Sequence, residues 1–118
     1  MRTEDLQIYS GTVTTNGNSY STPINVKSAG EVKSAGEVVL FLDVTDVQGN
    51  TPGLIVYLMT QDSISGKWFI IGNFDSKSAI GTDITYIING LGSYIACAWA
   101  VTGVDPVFSF ALNASIKD

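Results

Sequence analysis

The chain has 118 residues, 45% hydrophobic and only 14% charged, which excludes a disordered tail and fits one domain with its own core. Eleven acidic residues against six scattered basic ones leave a formal charge of −5, with no clustered basic face to replace counterions on a nucleic acid and little to draw the chain to an anionic membrane. One cysteine and no histidine exclude an intrachain disulfide, a cysteine-rich metal site and a Ser-His triad.

Gly, Ser, Thr and Asn are frequent and good helix formers are sparse, so strands are expected in chain order. Residues 1–6 are polar and charged and read as a flexible N-terminal arm ahead of a single domain at 7–118. No basic-then-apolar opening suggests a secretory signal, and no apolar run approaches the ~20 residues of a membrane helix, so a soluble product is expected. Residues 6–14 are β-prone, with a bend or bulge at Gly11. Asn16-Gly17-Asn18 is a hairpin-closing signal, and residues 20–26 follow as a strand that Pro23 places at an edge.

The hexapeptide VKSAGE then occurs twice, at 26–31 and 32–37. Two short copies are too few for a solenoid and read as a duplication that lengthens a surface loop. Residues 38–45 and 54–61 alternate along two apolar strands, and 46–53, with Gly49, Pro52 and Gly53, read as the turn of a hairpin joining them. Further strands are expected at 67–74, 82–89, 93–101 and 107–116, separated by turn signals at 62–66, 75–81, 90–92 and 102–106. Eight short strands without a helix define an all-β chain, an eight-stranded antiparallel β-sandwich of jelly-roll type, with an immunoglobulin-like sandwich as runner-up.

Asp46, Asp62, Asp75, Asp83 and Asp105 fall at loops, where calcium ligands occur in β-sandwiches, but their spacing matches no calcium loop and turn formation accounts for them. Asp43 is a charge within an apolar strand and must be exposed or paired. Glu31, Glu37, Asp62 and Asp75 contain no pair singled out for glycoside hydrolysis. Tyr9, Tyr20, Tyr57, Trp68, Tyr86, Tyr94 and Trp99 offer rings for stacking on sugars, with core packing the simpler reading for Trp68 and Trp99. Cys97, in the run IACAWAV, reads as a small buried residue. No catalytic residue, cofactor site or metal site is therefore expected, and the chain is read as a non-enzyme.

The block at 38–74 resembles a pattern of small tailed-phage virion proteins. It contains Leu42-Asp43-Val44-Thr45, a Gly/Pro turn at 49–53, then Gln61, Gly66 and Trp68. The segment GLGSYIACAWAVTGVDPVFSFALNASI, 90–116, is similar to the same group, and the resemblance spans 37–116. It implies a head decoration (capsid-cementing) or minor virion protein: a β-sandwich that binds the major capsid protein lattice on the capsid exterior, often as a trimer. It carries over no functional residue. Decoration implies synthesis in the host cytoplasm, no nucleic-acid or membrane partner, and stabilisation of the head through repeated contacts, with the N-terminal arm adding a strand to a capsid subunit. A carbohydrate-binding module for adhesion is the alternative.

Overall fold

The computed structural model describes residues 3–25, 37–62, 64–88 and 94–117. The duplicated hexapeptide (apart from Glu37) and the Gly90–Gly92 link lie outside the described residues. All regular structure among the described residues is β: β1 (Thr3–Val13), β2 (Gly17–Tyr20), β3 (Ile24–Asn25), β4 (Glu37–Gln61), β5 (Trp68–Asn73), β6 (Gly81–Ile88) and β7 (Tyr94–Lys117). They form one antiparallel sheet in which β4 and β7 are the long central pair.

The sheet has four tracks. β1, β2 and β3 follow one another along one side of β7; β7 pairs with β4; β5 and β6 follow one another along the far side of β4. Between β5 and β6 the chain stays beside β4, with Phe74 donating its N–H to the Val56 carbonyl and Lys77 exchanging backbone hydrogen bonds with Leu54.

This differs from the expected arrangement at 37–61. Residues 38–45 and 54–61 are not the arms of a hairpin; they are the two ends of β4, and both pair with β7. Likewise 93–101 and 107–116 belong to one continuous β7. The described chain therefore has seven strand elements where eight separate strands were expected. Gly, Pro and Asn at 46–53 and 102–106 do change the chain's direction, but through irregularities in a paired ribbon. The register shifts between Val44 and Asp46, Gln48 and Asn50, and Asn50 and Gly53.

Those shifts make a corner. Thr51 (φ 48°), Asp105 (φ 49°), Gly49 (φ 111°) and Gly103 (φ 125°) all adopt positive φ there, a conformation that glycine reaches without steric penalty. The two backbones approach so closely that a Cβ at Gly49 would lie 2.7 Å from the Asp105 carbonyl oxygen. One at Gly103 would lie 2.9 Å from the Pro52 Cα. Asn16, between β1 and β2, donates its side-chain amide to the Gly103 carbonyl at 2.9 Å and ties the first track to the same corner.

The bend folds the sheet onto itself. Trp99 and Phe110 are eleven residues apart in β7, about 36 Å along a straight strand. Their ring centroids nevertheless lie 5.8 Å apart, edge to face. Tyr9 of β1 completes the cluster at 4.5 Å from Trp99 and 5.1 Å from Phe110. The facing halves share one core: Val38, Leu40, Leu42, Val44, Leu54, Val56 and Leu58 from β4, Ile95, Cys97, Trp99, Val101, Phe108, Phe110, Leu112, Ala114 and Ile116 from β7, with Ile8, Val13 and Phe74 closing its sides. Each large side chain removed from water here contributes about 1.5–3 kcal/mol, and alternation within each half of both strands puts all of them on one face.

The first track departs from expectation twice. Thr3 to Leu6, placed in the expected arm, are paired with the end of β7, Thr3 opposite Lys117 and Leu6 opposite Ala114. Leu6 and Ile8 begin the packing against the core while β7 supplies free backbone, so strand pairing extends to the start of the described chain. The signal at 16–18 closes no hairpin either: β1 and β2 both pair with β7, on opposite sides of the corner. The hairpin at 61–67 is as expected, with Asp62 donating its N–H to the Lys67 carbonyl.

Candidate functional site

The loop aspartates are not brought together. Asp62 caps its own turn, accepting from the Ile64 N–H at 3.0 Å and the Ser65 hydroxyl at 2.7 Å, and these bonds hold its carboxyl below the usual range. Asp83 is likewise lowered, first by the Lys77 ammonium and then by the Ile84 N–H. Asp46 accepts from the Gln48 amide, Asp75 is exposed, and Asp105 forms part of the corner. Among the described residues no three Asp, Glu or Cys side chains group as a metal ion would require. Of the carboxylates weighed as a glycosidase pair, Glu31 lies outside the described residues and Asp62 is engaged in its turn. Asp43 is exposed on the outer face of β4, which is how an acidic residue is accommodated in that strand.

Cys97 is fully buried. Its N–H donates to the Ser21 hydroxyl at 2.9 Å, and Ser21 returns its own N–H to the Cys97 carbonyl. Burial pushes the thiol up to about 12, so the thiolate needed for reaction is suppressed at neutral pH. Burial also raises the nearby Tyr9 phenol, with Cys97 adding to the effect.

The aromatic residues divide into two sets. Tyr9 and Trp99 belong to the interior cluster and line the seam where β1 and β2 separate. That seam opens as two broad depressions of about 530 and 460 Å³, the first lined by a mixture of Ser, Thr and Gln with Ile, Tyr and Trp, the second mostly by Thr, Asn and Ser. Tyr20, Tyr57, Trp68, Tyr86 and Tyr94 face outward to differing degrees, Tyr20 being 72% exposed and Tyr57 half-buried. Trp68, which the sequence suggested for the core, is only half-buried.

Three separate tracks bring Tyr20 and Trp68 to one place. Tyr20 of β2 is opposite Ala98 of β7, Ala96 of β7 is opposite Met59 of β4, and Met59 is opposite Ile70 of β5. Core side chains occupy the odd positions of β7 from 95 to 101 and the even positions of the second half of β4, so this whole row stands on the outer face. The small side chains of Ala96 and Ala98 leave a trough between the larger ones. The result is a cleft of about 300 Å³ lined by Tyr20, Pro23, Met59, Trp68 and Ala96. Its lining is almost entirely apolar, unlike the two larger depressions. Ile70, 58% exposed, continues the apolar surface along β5. The cleft is suited to receiving a flat or apolar group by dispersion and ring stacking, and it holds no acid, base or nucleophile.

No protein-family model matches the chain, and no curated protein matches it by sequence. Its fold is similar to solved structures. One is described under "Bacillus endospore appendages form a novel family of disulfide-linked pili": the TM-score is 0.53 at 10% identity, covering 99% of this chain and 91% of that one. Another is the Yersinia pseudotuberculosis-derived mitogen, with a TM-score of 0.50 at 15% identity over 99% of this chain and 87% of the other. At such identities the likeness is one of fold: an all-β, antiparallel module.

Proposed function

We propose that this protein is a non-enzymatic structural subunit that docks on the outer surface of a phage head and stabilises it. Its place is then the capsid exterior, its partner the major capsid protein lattice, and its synthesis the host cytoplasm. In this reading the folded four-track sheet is a sandwich of jelly-roll type, with the two halves of β4 and β7 counted as separate strands. The observation that carries the reading is the apolar cleft of Tyr20, Pro23, Met59, Trp68 and Ala96 with Ile70 beside it. Large apolar side chains grouped on the outside of a rigid sheet mark a protein-binding surface, and a symmetric lattice multiplies a modest contact by avidity. The arm mechanism is replaced, because residues 3–6 are already paired with β7. A structural neighbour described as forming pili supports a role in protein assemblies. The linkage in that description has no counterpart here, since the single cysteine is buried Cys97.

A carbohydrate-binding module is the second reading, favoured by the two rings of the same cleft, exposed Tyr20 and half-buried Trp68. The test is co-sedimentation with purified tailed-phage heads assembled without a decoration protein, scoring copies bound per head. Wild-type protein is expected to saturate a symmetric set of sites, and the double variant Tyr20→Ser/Ile70→Lys to bind at least about tenfold more weakly, equivalent to about 1.4 kcal/mol. Stability of that variant should change by no more than about 1 kcal/mol, since both residues are exposed. No wild-type binding to heads, together with a glycan-array signal lost in Trp68→Ala, would transfer the assignment to the sugar-binding reading.

A further inference from the structure

We infer that the free edge of β6 is a self-association surface, taking the β6 of a second copy of this chain in antiparallel register to make a two-fold dimer with one continuous sheet. Unpaired strand edges are templates for further pairing, and proteins ordinarily protect them with bulges, prolines, lysines or brevity. Three of the four edge segments carry such a device. β1 has a bulge at Ile8, between Gln7 and Tyr9. β2 and β3 have four and two residues and are interrupted at Pro23. β5 has six residues, follows Lys67 and shifts register at Ile71.

β6 has no bulge, proline or lysine and is not short, and its one charge, Asp83, is engaged by Lys77. Among the described residues it pairs with β4 alone, through eight residues in unbroken register from Gly81 opposite Val44 to Ile88 opposite Glu37. It contains no proline, lysine or arginine. Its outer face is the reverse of a protected edge. Ile84 and Tyr86 are 46% and 61% exposed, and Phe41, directly opposite Ile84 on β4, is 43% exposed.

The occupant follows from what the edges allow. A head-to-tail contact needs a second, different open edge on the same molecule, and each of the other edges carries a protecting device. Self-pairing needs only β6 twice, which is an isologous two-fold contact. Placing Thr85 opposite the partner subunit's Thr85 sets Ile84 opposite the partner's Tyr86, and the reverse, on the same outer face. A row Phe41–Ile84 then continues into Tyr86 and Val39 of the partner subunit, the aliphatic–aromatic cross-strand pairing that stabilises sheets. Charge permits it despite the net −5, because the one charge on β6, Asp83, is paired with Lys77. In this register Asp83 meets Ile87 of the partner subunit and no like charge.

Eight residues of strand span about 27 Å. Backbone pairing over that length falls short of the roughly 1,200 Å² of a stable interface, so the contact depends on the Phe41, Ile84 and Tyr86 side chains and is reversible. This inference does not rest on the head-binding reading, which uses the opposite half of the molecule.

Sedimentation of the purified full chain from micromolar to millimolar concentration tests it. The mean mass should rise from one chain towards two. Ile84→Lys should weaken dimerisation at least tenfold, while Ile70→Lys, in the outer cleft, leaves it unchanged. Hydrogen exchange should show β6 amides slowing as the wild type dimerises. One-chain mass throughout, convergence on three chains, or an Ile84→Lys protein that associates like the wild type would each overturn the proposal. Circular dichroism of Ile84→Lys matching the wild type separates loss of association from loss of fold.

Discussion

Along the straight runs of β4 and β7 the fold is held by side chains, whereas at the corner, 45–53 against 102–107, it is held by backbone. The runs place every second residue in a shared core and leave the alternate residues to the outer face. At the corner Gly49, Thr51, Gly103 and Asp105 take positive φ and the two chains touch main chain to main chain. The contrast predicts opposite vulnerabilities. A run suffers from lost volume on one face and ignores the other, while the corner suffers from any added atom.

The largest effect should come from removing volume where the halves meet. Phe110 touches both Tyr9 and Trp99, so its loss opens a cavity between layers that a bent sheet cannot close by local relaxation. Phe110→Ala should lower unfolding free energy by about 3–5 kcal/mol in a denaturant titration. A loss under about 1 kcal/mol would mean that the halves are not held by this cluster.

Next comes the corner. Gly103→Ala combines an unfavourable positive φ with a Cβ 2.9 Å from Pro52 Cα and 3.0 Å from the Thr51 carbonyl oxygen. Strain of about 1–2 kcal/mol and overpacking of about 1–3 kcal/mol give an expected loss of about 2–5 kcal/mol. Gly17→Ala is the control: its φ is also positive, at 105°, but a Cβ there meets nothing within 4 Å. It should cost about 1–2 kcal/mol, the strain alone. Equal losses at the two sites would show that close approach of the backbones contributes nothing to the corner.

The same contrast explains what the sequence reveals. Alternation at 38–44, 95–101 and 108–116 reads directly as an inner face, because burial is set by side-chain chemistry and the strand period is two. The true hairpin at 61–67 is also legible, since Asp62, Ser65 and Gly66 make its turn from local bonds. The corners are not. Gly and Pro specify a local backbone conformation, and the same φ values serve a chain reversal or a bend in a ribbon whose partner lies fifty residues away. Nor does sequence show that Tyr20, Met59 and Trp68 converge, because they reach the outer cleft on three different tracks. That β6 lacks Pro and Lys can be read from the sequence, but that β4 is its one strand partner among the described residues is a fact of topology.

The smallest expected effect sharpens the account of the runs by titrating one buried group. Cys97 sits on the core face of β7 with its thiol raised from 9.0 to about 12 by burial. Protonated Cys97 is therefore favoured in the folded state and the thiolate in the unfolded one. Its contribution is fully present below pH 9 and is lost as pH rises towards 12. At pH 10 the loss is only about 1.4 kcal/mol, growing to about 4 kcal/mol once the folded thiol itself titrates. The comparison to make is the stability of wild type and Cys97→Ala from pH 7 to pH 10, which cancels the tyrosines and lysines common to both. The alanine variant starts lower because of its cavity, and the gap should narrow by about 1.4 kcal/mol across that range. A constant gap would mean that the thiol ionises freely in the folded protein, and with it that the core face of β7 is open to water at Cys97.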